Sequence, residues 1–215
     1  DHKRLRDGDK GPNTGGMGAY CPADIIDART LAIVEREILV PTVDSLKREG
    51  IEYRGVLYAG LMLTHAGPKV LEFNCRFGDP ECQPLMARFQ GDLVHLMLAT
   101  AQGQLDRVDF TWDDRAACCV VLAAENYPEK PKSGAIIQGI DAAEALDGVV
   151  VDHAGTAKDS SGNIVTSGGR VLGVTALGED LAAARTLAYK AVGRIHFPGM
   201  QCRGDIGAAA VVAKS

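Results

Sequence analysis

Apolar positions between residues 24 and 49 recur at Ile25, Ile26, Ala28, Leu31, Ala32 and Val34, then at Ile38 and Leu39, which is the spacing of a helix with one buried stripe. Pro41 lacks the amide hydrogen that a helix interior needs, so it kinks or divides the segment, and Gly50 ends it. The period then changes. Gly55 to Leu63 reads as a buried apolar strand, His65-Ala66-Gly67-Pro68 reverses the chain, and Lys69 to Cys75 returns as the second strand of an antiparallel hairpin. Alternation on that second strand places Glu72, Asn74 and Arg76 on one face and Leu71, Phe73 and Cys75 on the other, leaving an apolar face available for burial. Residues 81–101 are helical with an interruption at Gly91, and Gly103 closes them.

A polar connection from Gln104 to Asp114 precedes a run of short strands. Strands are expected at Ala116 to Ala124, Gly148 to His153, Gly155 to Lys158, Ile164 to Thr166 and Arg170 to Ala176, with Asp159 to Asn163 as a hairpin turn. An alanine-rich helix from Glu179 to about Gly193 follows, and Leu181, Ala184, Leu187, Ala188 and Val192 form a face that can lie on the sheet. The change of pattern divides the chain into residues 1–103 and 104–215.

With 215 residues the chain can bury a substantial core, and its composition is that of an ordinary globular protein. A formal net charge of -5, and no cluster of Lys and Arg interleaved with aromatics, argue against a general nucleic-acid surface and for small-molecule partners. No apolar run approaches the roughly 18 residues that span a bilayer, and the first residues do not resemble a signal peptide, so a cytoplasmic setting without membrane contact is expected. The chain opens without Met in a charged stretch that reads as the interior of something longer. Its 6 cysteines are sparse and contain no C-x-x-C pair, so most are expected to be reduced, with Cys118 and Cys119 as core residues. The 5 histidines lack zinc-ligand spacing.

Candidate chemistry gathers at Leu71 to Glu81. Glu72 and Asn74 offer two oxygens suited to a hard divalent cation, and Arg76 adds a permanently charged fork for a phosphoryl or carboxylate group. The same alternation also describes a plain solvated strand face, but the neighbouring Phe77-Gly78-Asp79-Pro80-Glu81 would set a rigid turn beside it. Gly11 to Tyr20 contains four glycines that let backbone amides approach an anion, although it is neither a Walker loop nor G-x-G-x-x-G and could equally be a surface loop. Ser167 to Val174 presents Arg170 after a glycine turn, and Cys202 to Gly207 contains an Arg-Asp pair of the kind that usually forms a salt bridge.

In combination, Asp1 to Leu5, Gly11 to Tyr20, Leu71 to Glu81, His153-Ala154-Gly155-Thr156, Gly168 to Ala176 and Arg203-Gly204-Asp205-Ile206-Gly207 resemble the glycinamide ribonucleotide synthetases, ATP-grasp ligases of purine biosynthesis. The resemblance implies an α+β fold, with the later part of an ATP-grasp module (antiparallel sheet and helices) over 1–103 and a small mixed β/α C-terminal domain over 104–215. It implies an activity that joins glycine to 5-phosphoribosylamine through a glycyl phosphate, releasing ADP and phosphate. It also implies a preceding N-terminal part of the same enzyme, without which this chain would be inactive.

Site roles follow from the same resemblance. Glu72 and Asn74 would hold Mg²⁺ or Mn²⁺ against the ATP phosphates, and Arg76 would stabilise charge at the transferring phosphoryl or hold the glycine carboxylate. Asp79 and the loop Asn13, Thr14, Gly15, Gly16 and Met17 would bind the amine substrate or glycine, Lys3 would contact phosphate, and Gly168, Gly169 and Arg170 would close over the site. Another ATP-grasp carboxylate-amine ligase, or a non-catalytic module for a phosphorylated ligand, would use much of the same chemistry.

Overall fold

The computed structural model describes residues 1–23 and 25–212. Asp24, where the first helical pattern opens, lies outside the described residues. The chain forms two compact units, one of residues 1–22, 79–89 and 112–215 and the other of residues 23–78 and 90–111. These units interleave along the sequence, whereas the division expected at 103/104 is a single cut along the chain.

The first unit is built on a four-stranded antiparallel sheet in the order Gly18–Cys21, Ala116–Ala123, Arg170–Gly178, Val149–His153. Every residue of Ala116–Ala123 is buried, as expected for a central strand covered on both faces. Helix Leu181–Val192 packs on one side of the two central strands and helix Cys82–Arg88 also packs on them. Asp180 caps the long helix by accepting the Ala183 amide at 2.7 Å, and Ala184, Ala188 and Ala191 let it sit close to the sheet. Gly178 has to be glycine, since a Cβ there would fall 2.2 Å from the Ala184 nitrogen. The expected strands and helix are all present in this unit, and the cysteines are free thiols, with burial pushing both Cys118 and Cys119 up to about 12.

Other elements of this unit were not expected from the pattern, among them an edge strand and a short helix. Gly18–Cys21 is an edge strand of the main sheet, and Ile140–Glu144 is a short helix begun by Gly139 at φ 86°. The Arg-Asp pair near the C-terminus is indeed a salt bridge. Arg203, 1% exposed, gives Nε and Nη2 to the two oxygens of Asp205 at 2.7 Å each and Nη1 to Asp9 Oδ1 at 2.8 Å and the Arg4 carbonyl at 3.2 Å. Asp205 Oδ2 also accepts the Gly8 amide and Asp7 Oδ1 the Gly204 amide, so the hairpin Arg4–Arg6/Lys10–Asn13 is tied to residues 203–205.

The second unit holds the helical segment and the hairpin. Helix Ala28–Val34 passes into a π-type turn, Glu35–Leu39, and then helix Val40–Arg48. Pro41 accounts for the wide turn: it cannot donate to the preceding turn, and the Val40 amide reaches back to the Glu35 carbonyl. The hairpin pairs Tyr58–Thr64 with Gly67–Asn74, and helix Leu93–Gln102 starts at an Asp92 cap and stops at Gly103 in the left-handed region, φ 68°.

Two expectations for the second strand are corrected. Gly60 pairs with Glu72 but Leu61 pairs with Val70, so Leu71 is an extra, bulged residue and does not share the Phe73 face. Val70 and Phe73 together face a groove against Ile38, Pro41 and Leu46, while Leu71 is 65% exposed and Phe73 41% exposed. The strand also ends at Asn74, so Cys75 and Arg76 lie in a bend beyond the reach of strand alternation. Among the described residues, no helix is long and apolar enough to cross a membrane.

Candidate functional site

On the hairpin, Glu72 lies opposite Gly60 and Asn74 opposite Tyr58, so the two oxygen-bearing side chains share one face as the alternation requires. Gly60 makes room for the first of them: a Cβ there would come within 3.0 Å of Glu72 Cγ. Glu72 is exposed and Asn74 half-buried. Among the described residues, no group of three or more His, Cys, Asp or Glu side chains converges as a metal cage. A carboxylate and an amide oxygen are nevertheless the donor types a hard cation takes, with its remaining positions left to phosphate and water. The Arg76 guanidinium is exposed and gives Nη1 to the Phe77 carbonyl at 2.8 Å.

The first unit brings together a second set of the expected residues. Arg170 is its hub: Nη1 and Nη2 hold the two oxygens of Asp79 at 3.0 and 2.9 Å, and Nη1 also donates to the Asp79 carbonyl at 2.7 Å and the Gly15 carbonyl at 3.0 Å. One guanidinium thereby links residues 91 and 155 positions away in sequence. Gly16 is glycine for steric reasons, since a Cβ would fall 2.4 Å from Pro80 Cδ, while at Gly15 a Cβ would fall 2.9 Å from Arg170 Cζ and displace the guanidinium. Both oxygens of Asp79 already face a cation, so a ligand ammonium there would share them with Arg170.

The glycine-rich loop spends its amides internally. Thr14 N–H donates to the Lys3 carbonyl at 2.8 Å, Gly15 N–H to Tyr127 Oη at 2.9 Å, Gly16 N–H to Thr14 Oγ1 at 3.0 Å and Met17 N–H to the His2 carbonyl at 2.9 Å. In this conformation the loop is therefore not an amide cradle for an anion; what it can turn toward a ligand is oxygen and the Asn13 side chain. Met17 is fully buried with Leu5 and Ala123, packing the loop from beneath. Burial pushes the His2 imidazole down, consistent with a neutral ring that accepts the Gly207 amide at Nε2, 3.4 Å, and lies 3.3 Å from the Gly18 carbonyl at Nδ1. Lys3 Nζ is paired with Asp1 at 2.6 Å.

Gly168 packs directly on Gly155, where a Cβ would stand 2.7 Å from the Gly168 Cα, and Gly169 lies against the Tyr127 ring. The structure thus assembles Asp79, Gly15, Gly16, Gly169 and Arg170 in one unit, and Glu72 and Asn74 on one face of the other. Tyr127 contacts the loop at Gly15 and the turn at Gly169 and was not singled out in sequence. Its partners are remote along the chain, Gly15 lying 112 positions away, so only a three-dimensional contact reveals it.

The chain is similar to known proteins along nearly its whole length. A model of the phosphoribosylglycinamide synthetase ATP-grasp (A) domain matches residues 1–82, and a model of the phosphoribosylglycinamide synthetase C domain matches residues 117–209. A phosphoribosylamine-glycine ligase of Rhodopirellula baltica is 55% identical over 213 residues, covering 99% of this chain and 48% of that protein. The chloroplastic phosphoribosylamine-glycine ligase of Arabidopsis thaliana is 50% identical, covering 96% of this chain and 40% of that one. The chain spans about half the length of the curated relatives it matches. Among solved structures, the phosphoribosylamine-glycine ligase of Thermotoga maritima superposes with a TM-score of 0.83 at 37% identity, over 96% of this chain and 50% of that one. A biotin carboxylase of Campylobacter jejuni, TM-score 0.57 at 14% identity over 86% of this chain and 40% of that one, shares the fold. The α+β, ATP-grasp character expected from sequence is therefore the observed one.

Proposed function

Since the chain belongs to the phosphoribosylglycinamide synthetase family, we propose that it is the later half of an ATP-dependent ligase that joins glycine to 5-phosphoribosylamine in the cytoplasm. The observation that carries this reading is the ordered match of both family domains across the chain. The reading includes the module division 1–103 and 104–215, ATP as co-substrate, and the preceding half of a family-length polypeptide as the partner that completes the active site.

A carboxylate is a poor acyl donor, so the chemistry begins by phosphorylating glycine, and the amine of phosphoribosylamine then displaces phosphate from the glycyl phosphate. Such a transfer calls on the protein for positioning and charge neutralisation. In this reading Glu72 and Asn74 hold Mg²⁺ or Mn²⁺, which would supply charge neutralisation at the ATP phosphates. Arg76 offers its fork to the phosphoryl or the glycine carboxylate. Asp79, Asn13 to Met17, and Gly168 to Arg170 receive the amine substrate or glycine, with Lys3 as a phosphate contact. Support for these roles comes from the shared face of Glu72 and Asn74 and from the convergence of Asp79, Gly15 and Arg170.

The test is ADP release by a family-length polypeptide carrying this chain, with glycine plus phosphoribosylamine and with panels of other acids and amines, in Mg²⁺ and in Mn²⁺. Release that depends on both named substrates is the expected result. Equal or greater release with another acid-amine pair would reassign the chain within the ATP-grasp ligases.

A further inference from the structure

Tyr127 lies outside every motif singled out in the sequence, yet it touches both glycine segments of the first unit. Its hydroxyl accepts the Gly15 amide at 2.9 Å. Its ring lies on the backbone of Gly169, where a Cβ would come within 2.5 Å of Tyr127 Cδ2. The ring also packs on the buried cluster of Leu5, Met17 and Ala123. The backbone beneath it is pinned: the Tyr127 amide donates to the Ala124 carbonyl at 3.2 Å, the Ala124 amide to the Gly169 carbonyl at 2.8 Å, and Gln201 Nε2 to the Ala124 carbonyl at 2.7 Å. The side chain is consequently held from several directions before its hydroxyl meets the loop.

Gly15 is the point of greatest leverage in that loop. Its amide is held by Tyr127 and its carbonyl by Arg170, so the peptide planes on either side are fixed by two side chains from distant parts of the sequence. Arg170 follows Gly169, the residue on which the tyrosine ring rests. One ring thus sets the spacing between the loop and the arginine turn, and the absence of a side chain at Gly169 is what lets it approach.

We propose that Tyr127 is a positioning residue for the amine- or glycine-binding loop, fixing Gly15 and the Gly168 to Arg170 turn in the shape that receives substrate. This rests on the ligase reading above, and the test separates the two. In the 215-residue chain, Tyr127→Phe keeps the ring and removes one hydroxyl, so amide exchange at Gly15 should quicken about tenfold while the urea midpoint stays near wild type. In the family-length ligase the same substitution should raise the KM for glycine or for phosphoribosylamine about fivefold, with kcat within about twofold, and the two titrations identify which substrate the loop serves. Gly169→Ala drives the ring off its seat and should raise the same KM, and the double variant should be no worse than the poorer single one.

Unchanged Gly15 exchange in Tyr127→Phe, or an unchanged KM for both substrates in that variant, would overturn the positioning role. A wild-type polypeptide that fails to ligate these substrates would overturn the ligase reading instead, and the exchange measurement would then decide the brace by itself.

Discussion

The two units of this chain bury apolar surface very differently. In the first, Ala116–Ala123 is wholly enclosed and the helix Leu181–Val192 seats three fully buried alanines on the sheet. In the second, the hairpin and the helix Leu93–Gln102 leave Leu71, Phe73, Val94, Met97 and Leu98 between 41% and 75% exposed. The difference teaches that apolar periodicity reports a need for cover, not its presence. On the proposed reading the preceding half of the family polypeptide provides that cover, and the second unit is free to devote its other hairpin face to Glu72 and Asn74.

Hydrogen exchange breaks the comparison most directly. Amides in Ala116–Ala123 should exchange about a thousandfold more slowly than those in Gly67–Asn74, because opening the former requires dismantling a core and opening the latter does not. Equal protection in the two strands would show that the hairpin has cover after all.

The next largest effect belongs to Arg203, a buried cation that holds the N-terminal hairpin of the first unit. Arg203→Ala should lower the unfolding free energy by about 3 kcal/mol, read from urea denaturation. Its partner gives a pH signature. The Arg203 guanidinium holds the Asp205 carboxyl down to about 2, below its ordinary 3.8. A depressed folded-state pKa contributes stability above the unfolded value and loses it as pH falls through the folded one, so the loss should run from about pH 4 down to about pH 2. Asp205→Asn should flatten that part of the urea midpoint profile, and an unaltered profile would assign the acid sensitivity elsewhere.

For the second unit the expected effect is on chemistry. Glu72→Ala in the family-length ligase should slow metal-dependent ADP release about a hundredfold. Because Glu72 is an exposed side chain over Gly60, thermal unfolding of the variant should match wild type. Near-normal turnover would remove Glu72 from the metal site.

How much of this was legible in the sequence depended on the range of the interaction. Period two correctly placed Glu72 and Asn74 on one face, and Pro41 correctly marked a break in the helical segment, because each effect acts within a few residues. The bulge at Leu71 was not legible, since one unpaired residue leaves no compositional mark. Gly18–Cys21 read as part of a glycine loop because its strand character comes from pairing with Ala117 to Val120, about a hundred positions away. The Arg170 and Asp79 pair and the Tyr127 contact with Gly15 were hidden for the same reason. Each pairing exists only because the fold brings together residues far apart in sequence.

The smallest effect discriminates best between the units. Leu71 and Leu122 are the same residue type in strands of eight residues each, but Leu71 is 65% exposed on a bulge and Leu122 is fully buried in a central strand of the sheet. Leu122→Ala removes packed methyl groups and leaves a cavity, which should cost about 3 kcal/mol in urea denaturation of the 215-residue chain. Leu71→Ser in the same chain should change stability by less than about 0.5 kcal/mol, since the side chain is already hydrated. In the family-length polypeptide the prediction diverges. If the preceding half of the proposed ligase covers this surface, Leu71→Ser should become destabilising by about 1 kcal/mol or more there, because a hydroxyl would enter a packed interface. An effect that remains negligible at full length would mean that Leu71 is a surface residue in its own right and that the cover lies over Phe73 and the 93–102 helix alone.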